Sequence, residues 1–178
     1  MDSYGDSTVM ASELHVDAIK HSGGTSALTI DSSGNVNIPN HIVQVVTHTY
    51  STAFSWNSSG YHTATTISFT PKTSSNKIHL IGTAGHYSAS DGNAWSGTWT
   101  SNIFVGGSLV FQTEHSGIIT GNVNFSDQHG FNCPIATNAT AGSALTIEYK
   151  VNLTAGTATH QLNRSPRTTE FIVMEIAQ

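Results

Sequence analysis

The feature that most restricts this chain is its punctuation. Short stretches in which apolar and polar residues alternate are cut apart by Gly, Asn, Ser or Pro, at spacings of roughly 8–12 residues. The alternation places strands over 41–50, 61–70, 76–88, 96–105, 108–113, 118–125, 128–137, 143–152, 157–162 and 168–176. It is clearest at Ile78-His79-Leu80-Ile81 and at Leu145-Thr146-Ile147-Glu148-Tyr149-Lys150-Val151. In the second run Leu145, Ile147, Tyr149 and Val151 share one face, and Thr146, Glu148 and Lys150 the other. No helical period outlasts a turn or two. Many short strands with turn signals between them predict an all-β sandwich or barrel. Composition agrees: Ser and Thr make about a quarter of the 178 residues, and charged residues only 10%, against roughly 25% in ordinary domains.

The chain reads as three parts. Residues 1–12 are small and polar and read as a flexible arm that orders on a partner. Residues 13–39 form a compact unit of three short strands. Leu14 and Val16, with Ile19, give the first apolar face, Leu28 and Ile30 the second, Val36 and Ile38 the third. Ser22-Gly23-Gly24-Thr25 and Asp31-Ser32-Ser33-Gly34-Asn35 are the turns, with Gly34 free to adopt positive φ. Strands this short cannot bury a core alone, so two readings stand. Either Leu14, Val16, Leu28, Ile30, Val36 and Ile38 pack against the same unit of neighbouring chains, or a hairpin packs on its own C-terminal domain. Residues 40–178 form one β domain, long enough to bury a core without disulfides or metals.

Several chemistries are disfavoured. A net charge of −5 with no Lys or Arg run argues against nucleic-acid binding. No apolar stretch of about 20 residues is present, so no membrane insertion is expected. The N-terminus lacks a basic start and an apolar core, which predicts synthesis in a cytoplasm without a secretory signal. The single cysteine, Cys133, forms no intrachain disulfide and reads as a small buried hydrophobe. Ten histidines are present, but no H-x-H, H-E-x-x-H or C-x-x-C, so no metal site and no cofactor are expected. On a three-fold axis His48, His79 or His86 could each supply three ligands. There is no G-x-S-x-G elbow, and Glu114, Asp127, Glu148, Glu170 and Glu175 form no close pair in sequence. No catalytic residue is assigned, and the chain is expected not to be an enzyme. Gly82-Thr83-Ala84-Gly85 and Val105-Gly106-Gly107-Ser108 lack a phosphate-loop context and read as bulges or turns.

The sharpest functional feature is aromatic. Asp91, Asn93, Trp95 and Trp99 lie in one segment, and Trp56 and Tyr61 in another of similar composition. Rings beside Asp and Asn suit sugar recognition, in which the ring stacks on C–H faces and the polar groups take hydroxyls. These six are the receptor-binding candidates. The competing reading makes Trp56, Trp95 and Trp99 core or interface aromatics.

The segment Leu14-His15-Val16-Asp17-Ala18-Ile19-Lys20-His21-Ser22-Gly23-Gly24-Thr25-Ser26-Ala27-Leu28-Thr29-Ile30-Asp31-Ser32-Ser33-Gly34-Asn35-Val36-Asn37-Ile38-Pro39 resembles a short repeat in tail-fibre and virion structural proteins of marine phages. Residues 156–178, above all Leu162-Asn163-Arg164 and Phe171-Ile172-Val173-Met174-Glu175-Ile176, resemble the last strands of the domain that often follows that repeat. The two ends cover about a quarter of the chain. The layout of 40–178 resembles jelly-roll domains of the C1q and tumour-necrosis-factor type, whose first and last strands are neighbours and which assemble as trimers. The resemblance implies an all-β homotrimer: a short β-rich neck at 13–39, then a jelly-roll domain at 40–178. It implies a virion location, with residues 1–12 docking on other tail or capsid proteins. The function implied is a short tail fibre whose exposed loops bind a host-surface glycan or protein. The alternative is a capsid head fibre or decoration protein. A polysaccharide-degrading spike and a secreted lectin fit less well, the first for want of carboxylates and the second for want of a secretory signal.

Overall fold

The computed structural model describes residues 16–24, 26–30, 32, 34, 36–38, 41–89, 95–119, 125–136, 140–156, 159–164 and 167–177. Within them every regular element is a β-strand and every strand pair is antiparallel. The chain divides into two units between Pro39 and Asn40.

The first unit is a three-stranded sheet of β1 (Ala18–Lys20), β2 (Ser26–Ile30) and β3 (Val36–Asn37). Gly24 and Gly34 both have φ above +80°, the left-handed conformation that glycine adopts without cost. Register places Ile19 opposite Leu28 and Ile30 opposite Val36, so these four share a face. The first strand therefore begins later than the sequence suggests. Val16 precedes it, Ile19 takes the position facing Leu28, and Leu14 lies outside the described residues. The arm at 1–12 lies outside them too.

The second unit contains β4 (Ile42–Tyr50), β5 (Phe54–Trp56), β6 (His62–Phe69), β7 (Lys77–Ala89), β8 (Trp95–Val105), β9 (Ser108–Ile119), β10 (Phe125–Ala136), β11 (Leu145–Ala155), β12 (Thr159–Leu162) and β13 (Thr169–Ile176). One sheet runs β4-β13-β7-β12-β5, with β10 on the free side of β7; the other runs β6-β11-β8-β9. The first and last long strands, β4 and β13, are neighbours, an arrangement consistent with a jelly roll. Period-2 alternation explains which side chains meet between the sheets. Ile147, Tyr149 and Val151 of β11 are fully buried, as are Ile78 and Leu80 of β7 and Val173 of β13.

Three local expectations need correction. Of the strand expected over 118–125, Ile118 and Ile119 instead end β9 and Phe125 opens β10, while 120–124 lie outside the described residues. Gly82 and Gly85 are not turn glycines. They sit inside β7 because Phe171 and Arg167 lie over them, and a Cβ at Gly82 would come within 2.5 Å of the Phe171 ring. Phe54–Trp56, which lies outside every expected strand, forms β5.

One buried carboxylate fastens the β6–β7 connection. Glu175 accepts hydrogen bonds from the backbone N–H of Lys72 (2.8 Å) and Thr73 (2.9 Å), and from the side-chain amides of Asn76 (2.9 Å) and Gln44 (2.9 Å). Four donors satisfy a charge that would otherwise be costly to bury. The Leu162-Asn163-Arg164 segment also has a physical role. Asn163 turns the chain at φ 56°, accepts from the Thr169 hydroxyl at 2.7 Å and donates to the Thr52 carbonyl at 3.2 Å. Arg164 lies over the Tyr87 ring at 3.9 Å.

Candidate functional site

At one end of the sandwich the interior is not apolar. This is the end where β7 stops at Ala89, β9 at Ile119 and β11 at Ala155, and where β8, β10 and β12 begin. A file of rings crosses the space between the sheets. Trp56 of β5 stacks on His160 of β12, with centroids 5.2 Å apart. His160 Nδ1 meets His86 Nε2 of β7 at 3.1 Å. His86 stacks on Trp99 of β8 at 4.1 Å, and Trp99 on His115 of β9 at 5.4 Å. His115 lies 4.2 Å from His129 of β10. There the file meets the apolar half: His129 approaches Phe131 edge-on at 5.0 Å.

These histidines are held neutral. Burial lowers His86 most, and the neighbouring His160, His129, His115 and Arg167 lower it further. Burial brings His160 down to about 4. His129 also falls to about 4, through burial and then His115, against the pull of Asp127. His115 is lowered by burial and partly restored by Asp127. Geometry agrees: two imidazole nitrogens 3.1 Å apart share one N–H, and protonating both rings would set one N–H against another.

Beyond His129 the network reaches Ser101 of β8, whose hydroxyl lies 2.9 Å from His129 Nε2 and 3.0 Å from the Tyr149 hydroxyl. Asp127 stands two residues from His129 on the same face of β10. Ser101, His129 and Asp127 thus resemble the members of a nucleophilic triad. Ser101 is fully buried and also held by Tyr149, so its hydroxyl is not presented to a substrate.

Of the residue types that hold metals, His115, Asp127 and His129 come together, each offering a ligand atom within 4.8 Å of the others. Sequence spacing missed this group. Asp127-Gln128-His129 is a D-x-H on one strand face, but His115 comes from the opposite sheet, and that pairing is invisible without the fold.

Among the described receptor-binding candidates, Trp56 and Trp99 come together in the buried ring file, both against His86 and His160. Trp56 is 4% exposed and Trp99 1%, so both are core aromatics and not loop rings. They point inward from β5 and β8, in register with His160 and His115. Tyr61 is half exposed and sets its ring edge against Phe104 at 5.0 Å. Asp91 and Asn93 lie outside the described residues, as does the side chain of Trp95, whose backbone opens β8. Of the three axis candidates, His86 is buried between the sheets. His48 bonds the Thr65 hydroxyl at 2.9 Å, and His79 bonds Asn132 on the outer face of its sheet. Cys133 is buried, and burial pushes its thiol up to about 11, as expected of an inert packing residue. Among the described residues no helix is long and apolar enough to cross a membrane.

No family model and no curated protein sequence matches the chain. Among solved structures it is similar to dimeric latent PorU from Porphyromonas gingivalis, at 13% identity over 87% of this chain with a TM-score of 0.48. It spans 15% of that protein's length. It is also similar to the TNF Eiger from S. frugiperda (12% identity, 85% of this chain and 69% of that one, TM-score 0.36). A third is the VP2 subviral particle of infectious bursal disease virus (13% identity, 80% and 40%, TM-score 0.39).

Proposed function

We propose that the chain is a structural protein of a phage virion that works as a homotrimer: a short tail fibre whose exposed loops contact the host surface. The observation that carries the reading is an unpartnered apolar face. On the outside of the β4-β13-β7-β10 sheet, register aligns Thr47, Ile172, Ile81 and Asn132 in one row, and Val45, Met174, His79 and Pro134 in the next. Ile42 and Val45 are each 52% exposed, Ile81 39% and Ile172 38%. The outside of the other sheet carries Thr146, Glu148, Lys150, Gln112 and Glu114, and its exposed Leu109 and Val110 lie together at the start of β9. An apolar sheet face rimmed by polar residues fits burial against copies of the same chain. The three-stranded unit supports the same reading, since Ile19, Val36 and Ile38 are exposed on a sheet too small to cover them. The number three and the virion setting come from the resemblance at residues 14–39 and from the C1q-like layout. Residues 1–12 then attach to other tail or capsid proteins, and Tyr61 belongs to the host-facing surface.

Light scattering on the full chain tests the assembly. A mass three times 18.8 kDa is expected at micromolar concentration, and Ile172→Glu together with Ile81→Glu should reduce it to the monomer. A wild-type monomer overturns the proposal.

A further inference from the structure

We propose that His115, Asp127 and His129 form a binding site for one divalent transition-metal ion, which fastens the two sheets together along the open side of the sandwich. β9 and β10 are the edge strands on that side, one from each sheet. Among the described residues no backbone hydrogen bond joins strands of different sheets there, and the site lies where the two edges face. His115 comes from β9, and Asp127 and His129 from β10. Their ligand atoms lie within 4.8 Å of one another. A tetrahedral ion with bonds of about 2.0–2.1 Å needs donors about 3.4 Å apart, a contraction within reach of ordinary side-chain adjustment.

Two observations beyond proximity point to a ligand. Nε2 of His115 and Nδ1 of His129 are both buried and have no hydrogen-bond partner, a condition that buried polar atoms rarely tolerate. The outer shell is also set. His129 directs Nε2 at the Ser101 hydroxyl, itself held by Tyr149. With the proton on Nε2, the Nδ1 lone pair is free for a metal, the orientation that partners behind a ligating imidazole impose. Asp127 is fixed on its strand, its backbone carbonyl accepting from the Arg167 guanidinium at 2.8 Å. Two imidazoles and a carboxylate suit zinc, cobalt or iron(II) over calcium or magnesium, which take oxygen ligands. Three protein ligands leave a coordination position for water.

The experiment uses the full chain after chelator treatment, titrated with zinc chloride and, separately, with cobalt chloride. One zinc ion per chain is expected, with a thermal midpoint about 5–10 °C higher at a hundredfold excess over Kd. Cobalt should give ligand-field bands of a nitrogen–oxygen site. It should also quench tryptophan emission, because Trp99 stacks on His115. Asp127→Asn and His115→Ala should each lower affinity at least tenfold, while His21→Ala and His62→Ala leave it unchanged. His115→Ala removes a half-buried ring. If it does not fold, the part-exposed and isosteric Asp127→Asn, together with the wild-type cobalt spectrum, decides. No binding by the wild type at 100 μM zinc overturns the site. So does binding that survives Asp127→Asn but falls with His21→Ala or His62→Ala, which would place the ion on surface histidines.

Discussion

The two halves of the sandwich interior are built from different chemistry. In one half Ile78, Leu80, Ile103, Ile147 and Val173 are fully buried, and Cys133 and Ile135 nearly so. The inward positions there are apolar except Glu175, whose buried carboxylate is matched by four donors, and packing supplies most of the stability. In the other half the inward positions of the same strands carry His86, Trp99, Ser101, His129 and Asp127, joined by His115, His160 and Trp56. Rings still fill that space, but each imidazole brings a polar atom that must be matched and a proton that must be kept away. The polar half therefore gathers the imidazoles that make it sensitive to pH and solutes.

The largest single loss is expected in the apolar half. Phe171 packs against Phe131 at 5.9 Å and Tyr149 at 5.5 Å, and lies directly over Gly82. Gly82 has no side chain to move into the space, so Phe171→Ala leaves a cavity that cannot collapse. A loss of about 3–5 kcal/mol is expected in urea unfolding, nearly constant between pH 7.5 and pH 5. A strong pH dependence of this loss would mean that the halves are not separate.

Acid strikes the other half. An unfolded histidine titrates near its ordinary value, about 6.5, while the folded chain holds His160 near 4 and His86 lower still. The unfolded state thus binds the extra protons as pH falls. The stability contributed is fully present above about pH 6.5 and drains away between there and pH 4. At pH 5 each of these two histidines should cost about 2 kcal/mol. Unfolding midpoints measured from pH 8 to pH 5 check this, and His86→Phe should flatten the slope. A wild-type slope of zero over that interval would show that these rings are not held neutral by the fold.

The same contrast governs what the sequence discloses. Where the interior is apolar, period-2 hydrophobicity marks the strand and its inward face, as in Leu145 to Val151, while the adjacency of β4 and β13 was implied only by the jelly-roll resemblance. Where the interior is polar, the signal vanishes. Along Gly97-Thr98-Trp99-Thr100-Ser101-Asn102 both faces are otherwise small or polar, so alternation does not show which way Trp99 points, and a receptor-binding role and a core role both stay open for its ring. Asp127 and His129 look like solvent-facing residues for the same reason. Gly82 and Gly85 read as turns because close approach by Phe171 and Arg167 is a tertiary fact. Sheet order is equally hidden, since β7 pairs with strands that begin 48, 82 and 92 residues after its own first residue. The metal-ligand trio depends on that order.

The boundary between the halves is Ser101 and Tyr149, and it supports the smallest effect. Tyr149 is fully buried, and burial raises its phenol well above the usual range against the opposing hydrogen bond from Ser101. Tyr149→Phe removes one hydroxyl and leaves Ser101 with His129, so a loss of about 1 kcal/mol is expected. Ser101→Ala should cost more, about 1–3 kcal/mol, because it leaves the Tyr149 hydroxyl and His129 Nε2 only their long 3.4 Å contact with each other. The double variant strands only the imidazole nitrogen, so its loss should fall short of the sum of the two. Urea unfolding of the four proteins gives the coupling directly. Strict additivity would mean that the hydroxyls act independently and that nothing in the apolar half helps to orient His129.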